Sequence, residues 1–218
     1  MKKIIFLLIL LSAMILSVSL TVFAEGEIFG DSFNGFGSDV DFPSNNQVKL
    51  DVMGWTFGGN YSLNRWILGG EYLTGYVNVN NTGDRFCYMV VITLQGGCEI
   101  INTKWLTLTI LDSYIKYGSG YGLSGSLVAS DVNFRIGNAS INAYLGYGLN
   151  LTQDTPPWET NSLKPPELLL YKLKFKYAVT DNFGLSLGYR FYKVSTNHDN
   201  IEFTESRGIF TFGNYIKF

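Results

Sequence analysis

Two neighbouring segments alternate strictly between apolar and polar residues, and this alternation constrains the fold more than any other feature. Residues 171–179 carry Lys172, Lys174 and Lys176 on one face and aromatic or aliphatic residues on the other. Successive side chains of a strand point to opposite faces, whereas a helix would distribute the lysines around its circumference. After a short turn, residues 183–191 repeat the pattern. The two segments therefore predict an antiparallel hairpin.

Segments of about ten residues with this alternation recur along most of the chain, as in the strands of membrane β-barrels. In one segment we place Leu149 and Leu151 together on the apolar face. Another changes parity near Met53 and Gly54, which indicates a β-bulge. The predicted strands are residues 48–57, 66–78, 86–97, 105–117, 128–136, 141–151, 171–179, 183–191 and 209–218.

A further segment, residues 27–36, places four apolar residues among glycines, although its alternation is poor. Bacterial single-chain barrels have an even number of strands, which favours counting this segment as a strand. We therefore predict an all-β fold, an antiparallel up-and-down transmembrane β-barrel of about ten strands. Eight strands are the alternative count.

The amino terminus has the organisation of a secretory signal peptide. Two lysines precede an apolar stretch at residues 4–23, and Val22 and Ala24 occupy the positions that a signal peptidase reads. We predict export by the Sec pathway and cleavage after Ala24, so that residues 1–24 are the signal peptide and residues 25–218 form one barrel domain. The alternative is an uncleaved anchor helix, because roughly 20 apolar residues can span a bilayer.

The composition of the chain agrees with a membrane barrel. Only 16% of the residues are charged, against about 25% in soluble domains. No second long apolar run exists, so a membrane-embedded fold must be a closed sheet, which satisfies every backbone polar group in lipid. A soluble lipocalin-like barrel would instead need apolar residues inside and polar residues outside. The net charge of −2 gives no basic surface for nucleic acid.

The links between predicted strands alternate between two length classes. Short periplasmic turns and longer external loops produce this alternation in transmembrane barrels. The exception is the short link near residues 118–120, which lies on the predicted outer side. The tight or modest links are residues 58–65, 98–103, 137–138 and 180–182, and the mostly longer polar links are residues 37–47, 79–85, 152–166 and 195–206.

Seven charged residues lie on the predicted lumen face of the strands. A charge that faces lipid at the membrane midplane costs about 2–4 kcal/mol, and a charge that faces the lumen avoids this cost. Either the charges form ion pairs that fill a closed interior, as side chains do in small barrels, or the three lysines line a narrow anion-favouring pore or a ligand site. These predicted lumen charges are Glu71, Asp131, Arg135, Lys172, Lys174, Lys176 and Arg190.

Residues 176–191 and the terminal segment 210–218 carry a resemblance to a known family. The chain resembles the small OmpA-like outer-membrane β-barrel proteins of diderm bacteria. In that family the chain ends in an aromatic residue preceded by hydrophobic residues at alternate positions. Asn214 and Tyr215 depart from that pattern. The matching residues are Phe210, Phe212, Ile216 and Phe218.

The resemblance implies an outer-membrane location, with outer-membrane lipid as the surroundings of the barrel. It also implies that the matching terminal residues are an assembly signal read by the barrel-assembly machinery, and that periplasmic chaperones escort the chain. Because the sequence stops at Phe218, we expect no peptidoglycan-binding domain after the barrel.

The sequence offers few residues for chemistry. The chain has one histidine, His198, beside Asp199 and near Ser195 in a predicted external loop. No nucleophile motif accompanies it, so we do not expect an enzyme; a rim-active hydrolase depending on His198 is the alternative. Cys87 and Cys98 would lie roughly 35 Å apart at the two ends of one strand, too far for a disulfide.

We expect no cofactor or metal, because the chain has neither a Cys/His cluster nor a phosphate-binding glycine motif. The expected function is that of a structural outer-membrane barrel or a narrow passive, porin-like channel for small solutes. Besides the hydrolase, the alternative is a surface adhesin that acts through external loops such as residues 155–159, which carry two prolines and a tryptophan.

Overall fold

A computed structural model describes residues 24–42, 47–79, 86–118, 122–154, 166–198 and 201–218. The signal-peptide prediction for residues 1–24 and the proline-rich segment 155–159 lie outside these residues, apart from Ala24. The ten strands are β1 (Ala24–Phe42), β2 (Gln47–Leu63), β3 (Trp66–Val79), β4 (Phe86–Asn102), β5 (Leu106–Gly118), β6 (Gly122–Ile136), β7 (Ala139–Asp154), β8 (Glu167–Ala178), β9 (Phe183–His198) and β10 (Ile201–Lys217). Among the described residues, no helix is long and apolar enough to cross a bilayer.

The strands form one closed antiparallel barrel in which each strand pairs with its neighbours in sequence. The barrel closes where β1 pairs with β10, from Glu27 opposite Lys217 to Phe42 opposite Glu202. At the end of this seam, the backbones of Gly26 and Phe218 exchange two hydrogen bonds of 2.9 and 3.0 Å. The prediction of a ten-stranded antiparallel barrel is confirmed, and the poorly alternating segment 27–36 is part of β1.

Most links are shorter than the sequence predicted. Residues 58–63 belong to β2 and residues 98–102 to β4, while much of the predicted links 37–47 and 195–206 belongs to strands. The ladder of backbone hydrogen bonds continues into segments where both faces of the sheet carry polar or small residues. In these segments the strand continues after the alternation of apolar and polar residues has ended, so the alternation does not mark the end of the strand.

The predicted bulge at Met53 and Gly54 is wrong. β2 keeps an unbroken register with both β1 and β3 through these residues. Met53 is exposed on the outer wall, whereas Leu50 and Val52 are buried inside the barrel. The apparent parity change arises because both faces of the strand are apolar at this level.

The placement of Leu151 on the outer face is also wrong. The register between β6 and β7 shifts between Ser124 and Ser126, where Asn150 has a φ of 50°. This β-bulge sets two residues of β7 against one of β6 and reverses the parity beyond it. Leu149 is therefore exposed, whereas Leu151 points inward and is 5% exposed.

The outer wall of the barrel is apolar and the lumen has two layers. Large exposed hydrophobic residues occur on all ten strands. Inside, the half of the barrel next to the tight turns carries the charged residues of β1, β3, β8 and β9. The half next to the longer links is filled by buried apolar side chains, among them Val52, Leu73, Val77, Met89, Val91, Leu111, Ile115, Leu123, Leu127, Leu168, Leu170 and Ile209.

Candidate functional site

The three lysines of β8 form a row along the turn-side half of the lumen, and each pairs with a carboxylate of another strand. Lys172 Nζ lies 2.5 Å from Glu71, and Lys174 Nζ lies 2.7 Å from Asp31. Lys176 pairs with Glu27. Because Glu27 and Asp31 lie on β1 and Glu71 lies on β3, the row ties β8 to distant parts of the barrel wall.

The pair between Lys172 and Glu71 crosses the full lumen, because β8 and β3 are opposite strands in the ring of ten. The guanidinium of Arg190, on β9, binds the second oxygen of the same carboxylate. Arg190 also donates a 2.9 Å hydrogen bond to the Tyr192 hydroxyl. All three charged side chains are mostly buried, so this ion triad is shielded from solvent.

Each lysine of the row also faces an aromatic ring. Lys174 Nζ lies 4.2 Å from the centre of the Phe29 ring. The corresponding distances are 4.8 Å from Lys172 to Tyr144 and 5.3 Å from Lys176 to Tyr215. A ring face attracts a cation within about 6 Å. The ammonium groups are thus held between a carboxylate and a ring and do not face an open channel.

The remaining predicted lumen charges have neutral partners. Asp131 accepts a 2.5 Å hydrogen bond from the side-chain amide of Asn142. Arg135 donates a 3.2 Å hydrogen bond to the Thr107 hydroxyl, and its side chain is exposed at the turn-side mouth. A cavity of about 100 Å³ lies among the charged side chains of the lumen. It is lined by residues that include Glu71, Gln95, Asp131, Tyr144 and Lys172.

A second contact crosses the lumen in its loop-side half. The Tyr117 hydroxyl on β5 donates a hydrogen bond to Glu205 on β10, and these two strands are also opposite each other. Glu205 pairs with Arg207 Nη2 at 3.1 Å, and the Arg207 side chain is only 1% exposed. The rings of Tyr117 and Tyr192 lie 5.7 Å apart. Side-chain contacts therefore cross the lumen in both halves of the barrel.

Among the described residues, sequence reasoning missed several inward charges, including Glu27, Asp31, Glu205 and Arg207. Glu27 and Asp31 lie in the segment with poor alternation, and Glu205 lies in a predicted link. The signal was present for Arg207 and Glu205, because counting back in steps of two from the inward residue Ile209 reaches both of them. The sequence could not predict which carboxylate each lysine binds, because the pairs depend on which strands face each other in the closed barrel.

Charged residues that sequence reasoning did not consider also lie outside the lumen, among them Asp112 and Lys116 on β5 and Lys193 on β9. Asp112 and Lys116 on β5 are exposed on the outer wall. The rule that strand charges face inward therefore does not extend to β9 or to β5. Here the inward positions are filled by apolar and hydroxyl side chains such as Leu111, Ser113 and Ile115.

The residues of the predicted assembly signal all lie on the outer face of the terminal strand or directly after it. Phe210, Phe212, Ile216 and Phe218 are exposed there, next to the seam with β1. The structure contains nothing that tests their recognition, so this role stays a prediction.

The other sequence candidates have little structural support for chemistry. The backbone of His198 lies at the loop-side end of β9, opposite Ile201 of β10. Cys98 is a free thiol, and both cysteines belong to β4. In the part of the chain that the structure describes, no group of three or more His, Cys, Asp or Glu side chains could hold a metal ion.

The fold of the barrel occurs in solved structures. The outer membrane protease OmpT from Escherichia coli superposes with a TM-score of 0.60 at 12% identity, covering 89% of this chain and 96% of that one. The chain has the fold of an outer-membrane β-barrel. The translocator domain of the autotransporter NalP from Neisseria meningitidis gives a TM-score of 0.46 at 14% identity, with 93% and 92% covered. Neisserial surface protein A gives 0.41 at 12% identity, with 88% and 97% covered.

Comparisons of sequence alone give no further assignment. No protein-family model matches the chain, and no curated protein matches it. The likeness to OmpT, at 12% identity, concerns the fold and not the activity of that protease.

Proposed function

We propose that this chain is an integral protein of the outer membrane, of the small OmpA-like type. The continuous apolar wall supports the proposal, because an exposed apolar surface of this extent belongs in contact with lipid. Trp66 and Trp105 are exposed at the turn-side end of the wall, where indole rings favour the membrane–water interface. Export by the Sec pathway, with cleavage after Ala24, is part of this proposal.

The same proposal assigns the partners of biogenesis. Periplasmic chaperones deliver the chain, and the barrel-assembly machinery reads Phe210, Phe212, Ile216 and Phe218. We expect Phe218→Ser to slow the appearance of the folded, heat-modifiable species in a pulse-chase experiment. The matched control is Phe183→Ser, at the turn-side end of β9 and also exposed on the outer wall. Equal assembly rates for the two variants would contradict the assigned signal.

Within the membrane, the barrel is proposed to be a non-conducting structural element. One observation carries this: the lumen is crossed at two levels between opposite strands, by Lys172 with Glu71 and by Tyr117 with Glu205. Buried apolar side chains fill the loop-side half of the lumen around the second contact. This arrangement supports the interpretation that the lysines form ion pairs in a closed interior, and not that they line a pore or a ligand site.

A planar bilayer recording of the reconstituted protein tests the closed lumen. We expect insertion without conductance steps, because paired lysines and an apolar layer leave no continuous aqueous path. The same membrane should show steps when a known porin is added, which controls for the recording. A stable, small anion-selective current from the protein alone would contradict the proposal and favour a lysine-lined passive channel.

A rim-active hydrolase is the second candidate. The observation in its favour is that the barrel shares its fold with the protease OmpT and ends β9 at His198, next to the loop side. The test compares wild type with His198→Ala on peptide and lipid substrates. An activity of the wild-type protein that is lost in the variant would favour the hydrolase, while absence of activity in both supports the structural barrel.

A surface adhesin acting through the external loops is compatible with the same closed barrel. It differs from the structural barrel in requiring a binding partner at the loop side. Deletion of residues 155–159 would remove binding to host cells or matrix in that case and would leave the barrel itself folded.

A further inference from the structure

Four outward residues form one row across the seam where the barrel closes. Ser38 of β1 and Ser206 of β10 are paired across the seam. Lys49 lies opposite Ser38 on β2, and Lys193 lies opposite Ser206 on β9. Both lysines are exposed, and neither has an ion-pair partner among the residues that the structure describes. We refer to these four residues as the seam patch.

The two serines of the seam patch are held from both sides of the wall. On the outer side their hydroxyl groups form a hydrogen bond of 2.9 Å, and a bond between two hydroxyls uses only one of their two protons. On the inner side, Arg207 Nη1 donates hydrogen bonds of 3.4 Å to the Ser38 carbonyl and 3.1 Å to the Ser206 carbonyl. The backbone behind the hydroxyls is therefore fixed, and one hydroxyl proton is left for an acceptor outside the wall.

The seam patch begins at the loop-side edge of the apolar band, on the proposed membrane location. Lys193 follows Phe183, at the turn-side end of β9, by ten residues, a rise of roughly 25 Å along a strand tilted by about 40°. The apolar band of such barrels is about 25 Å tall. Because a lysine that faces lipid is costly at the midplane and cheap near the interfaces, this level suits an outward lysine.

From Lys193 the row rises towards the loop side. Followed the other way around the barrel, the same line of paired residues descends to Gly26 at the turn-side end of β1. Three strand spacings separate the Cα atoms of Lys193 and Lys49 by roughly 14 Å, of which roughly 9 Å is height. The midpoint of the serine pair therefore lies roughly 5 Å above Lys193, in the headgroup layer, which is about 5–7 Å thick.

Aromatic rings lie directly below the seam patch, towards the membrane centre. Phe36 is two residues from Ser38 on β1 and is exposed on the outer wall. The centre of the Phe210 ring lies 6.4 Å from that of Phe36 and 5.0 Å from that of Tyr189. The wall thus presents cations and hydroxyl groups at the headgroup level and an apolar surface immediately beneath them.

Two carboxylates lie on the same part of the wall, but farther from the serines than the lysines do. Asp51 is two residues from Lys49 on β2, and Glu167 of β8 lies opposite Ser195. From the midpoint of the serine pair, strand spacings place the Cα atom of each lysine at roughly 7 Å, that of Asp51 at roughly 10 Å and that of Glu167 at roughly 14 Å. An anion above the serines is therefore nearer to both cations, whose flexible stems can reach it.

We propose that the seam patch binds the phosphate group of a lipid in the external leaflet. The two ammonium groups flank the phosphate, and a serine hydroxyl donates a hydrogen bond to it. The acyl chains of the same lipid lie on the rings of Phe36 and Phe210. The ring surface next to the cations favours a lipid over free phosphate, because a free ion gains nothing from it.

Lipid titration of the full chain tests the site, which rests on the proposed membrane location. The protein is expressed in a diderm host and purified in mild detergent, and bound lipid is counted by native mass spectrometry. The probe is phosphatidic acid, and diacylglycerol is the analogue without phosphate. We expect a phosphatidic acid adduct that diacylglycerol does not form. Inorganic phosphate at the same concentration should not displace it, and displacement would show a site for the free ion and overturn the lipid proposal.

Neutralised lysines separate this site from general attraction between lysines and anionic lipid. Lys49→Gln and Lys193→Gln should each weaken phosphatidic acid binding about fivefold, and the double variant about thirtyfold. The matched control is Lys116→Gln, which removes an exposed outer-wall lysine near the loop-side end of β5 and should bind as wild type. Equal losses in Lys116→Gln and Lys193→Gln would overturn the proposal. Heat-modifiable migration in gels identifies any variant that fails to fold, and Lys193→Arg, which keeps the charge, should retain binding.

Two negative outcomes have different meanings. If the wild-type protein does not insert into phospholipid vesicles, the proposed membrane function fails. If it inserts and folds but binds phosphatidic acid no more tightly than diacylglycerol, or if the double variant binds as wild type, the phosphate site is contradicted while the membrane barrel stands.

Discussion

Lys172 of β8 and Glu71 of β3 form an ion pair across the whole width of the barrel, with Nζ 2.5 Å from a carboxylate oxygen. Because these strands are opposite in the ring, the pair braces the barrel from inside. Arg190 binds the other oxygen of Glu71, so that one carboxylate holds two cations. The central part of the lumen is therefore organised around Glu71.

Removal of the Glu71 carboxylate should destabilise the barrel strongly. Glu71→Ala leaves Lys172 and Arg190 buried without their shared partner, and the loss of one member of a buried pair costs about 3–5 kcal/mol. Urea unfolding in lipid vesicles, followed by tryptophan fluorescence, measures this free energy. The control Lys116→Gln changes an exposed charge and should stay within about 0.5 kcal/mol of wild type. A cost below about 1 kcal/mol for Glu71→Ala would contradict the bracing role.

The loop-side crossing between Tyr117 and Glu205 should also contribute to stability. Tyr117→Phe removes a hydrogen bond to a charged group, an interaction of about 1.5–3 kcal/mol. Tyr76→Phe is the matched control, because the Tyr76 ring is exposed on the outer wall. The same unfolding assay should separate the two variants. Equal midpoints would mean that the hydroxyl of Tyr117 does not link β5 to β10 in the membrane.

The apolar layer of the lumen predicts a difference between inward and outward leucines. Leu127 is fully buried inside, whereas Leu145 is exposed on the outer wall. Leu127→Ala leaves a cavity among fixed neighbours and should cost about 2–5 kcal/mol. Leu145→Ala should cost less, because fluid lipid chains fill the vacated space. If Leu145→Ala lowered the free energy of unfolding more than Leu127→Ala did, the assignment of Leu127 to the lumen and of Leu145 to the outer wall would be contradicted.

How far the sequence predicted the structure depends on the contrast between the two faces of each strand. Over residues 171–191 of β8 and β9 the outer face is apolar and the inner face carries lysines, arginine, glycine, alanine or serine, so strand and parity were both predictable. On β2 the inward residues Leu50 and Val52 are as apolar as the wall, and the sequence suggested a bulge that does not exist. Where apolar side chains fill the lumen, both faces of a strand are apolar, and the alternation that predicts strands is therefore lost.

The candidate site was predictable only in part, for a related reason. Alternation indicates which side of the wall a lysine occupies, but its partner lies on a strand that is distant in sequence. Lys174 binds Asp31, and the sequence separation of 143 residues carries no local signal. The rule that charges face inward would place Asp112 in the lumen, but Asp112 is exposed on the outer wall. The alternation of β5 decides which face this residue occupies, and the preference of its carboxylate for water does not.

The most direct test of the account measures whether lipid or water surrounds successive residues of β9. Single spin labels at Leu185, Ser186 and Leu187 are introduced in a protein whose cysteines are replaced by serine, and their collisions with oxygen and with a polar nickel complex are measured in vesicles. The account predicts oxygen-rich, nickel-poor surroundings at Leu185 and Leu187, which lie on the outer wall, and low access for both reagents at the buried position of Ser186. Nickel-accessible labels at Leu185 and Leu187 would place the apolar wall in water and contradict the membrane barrel.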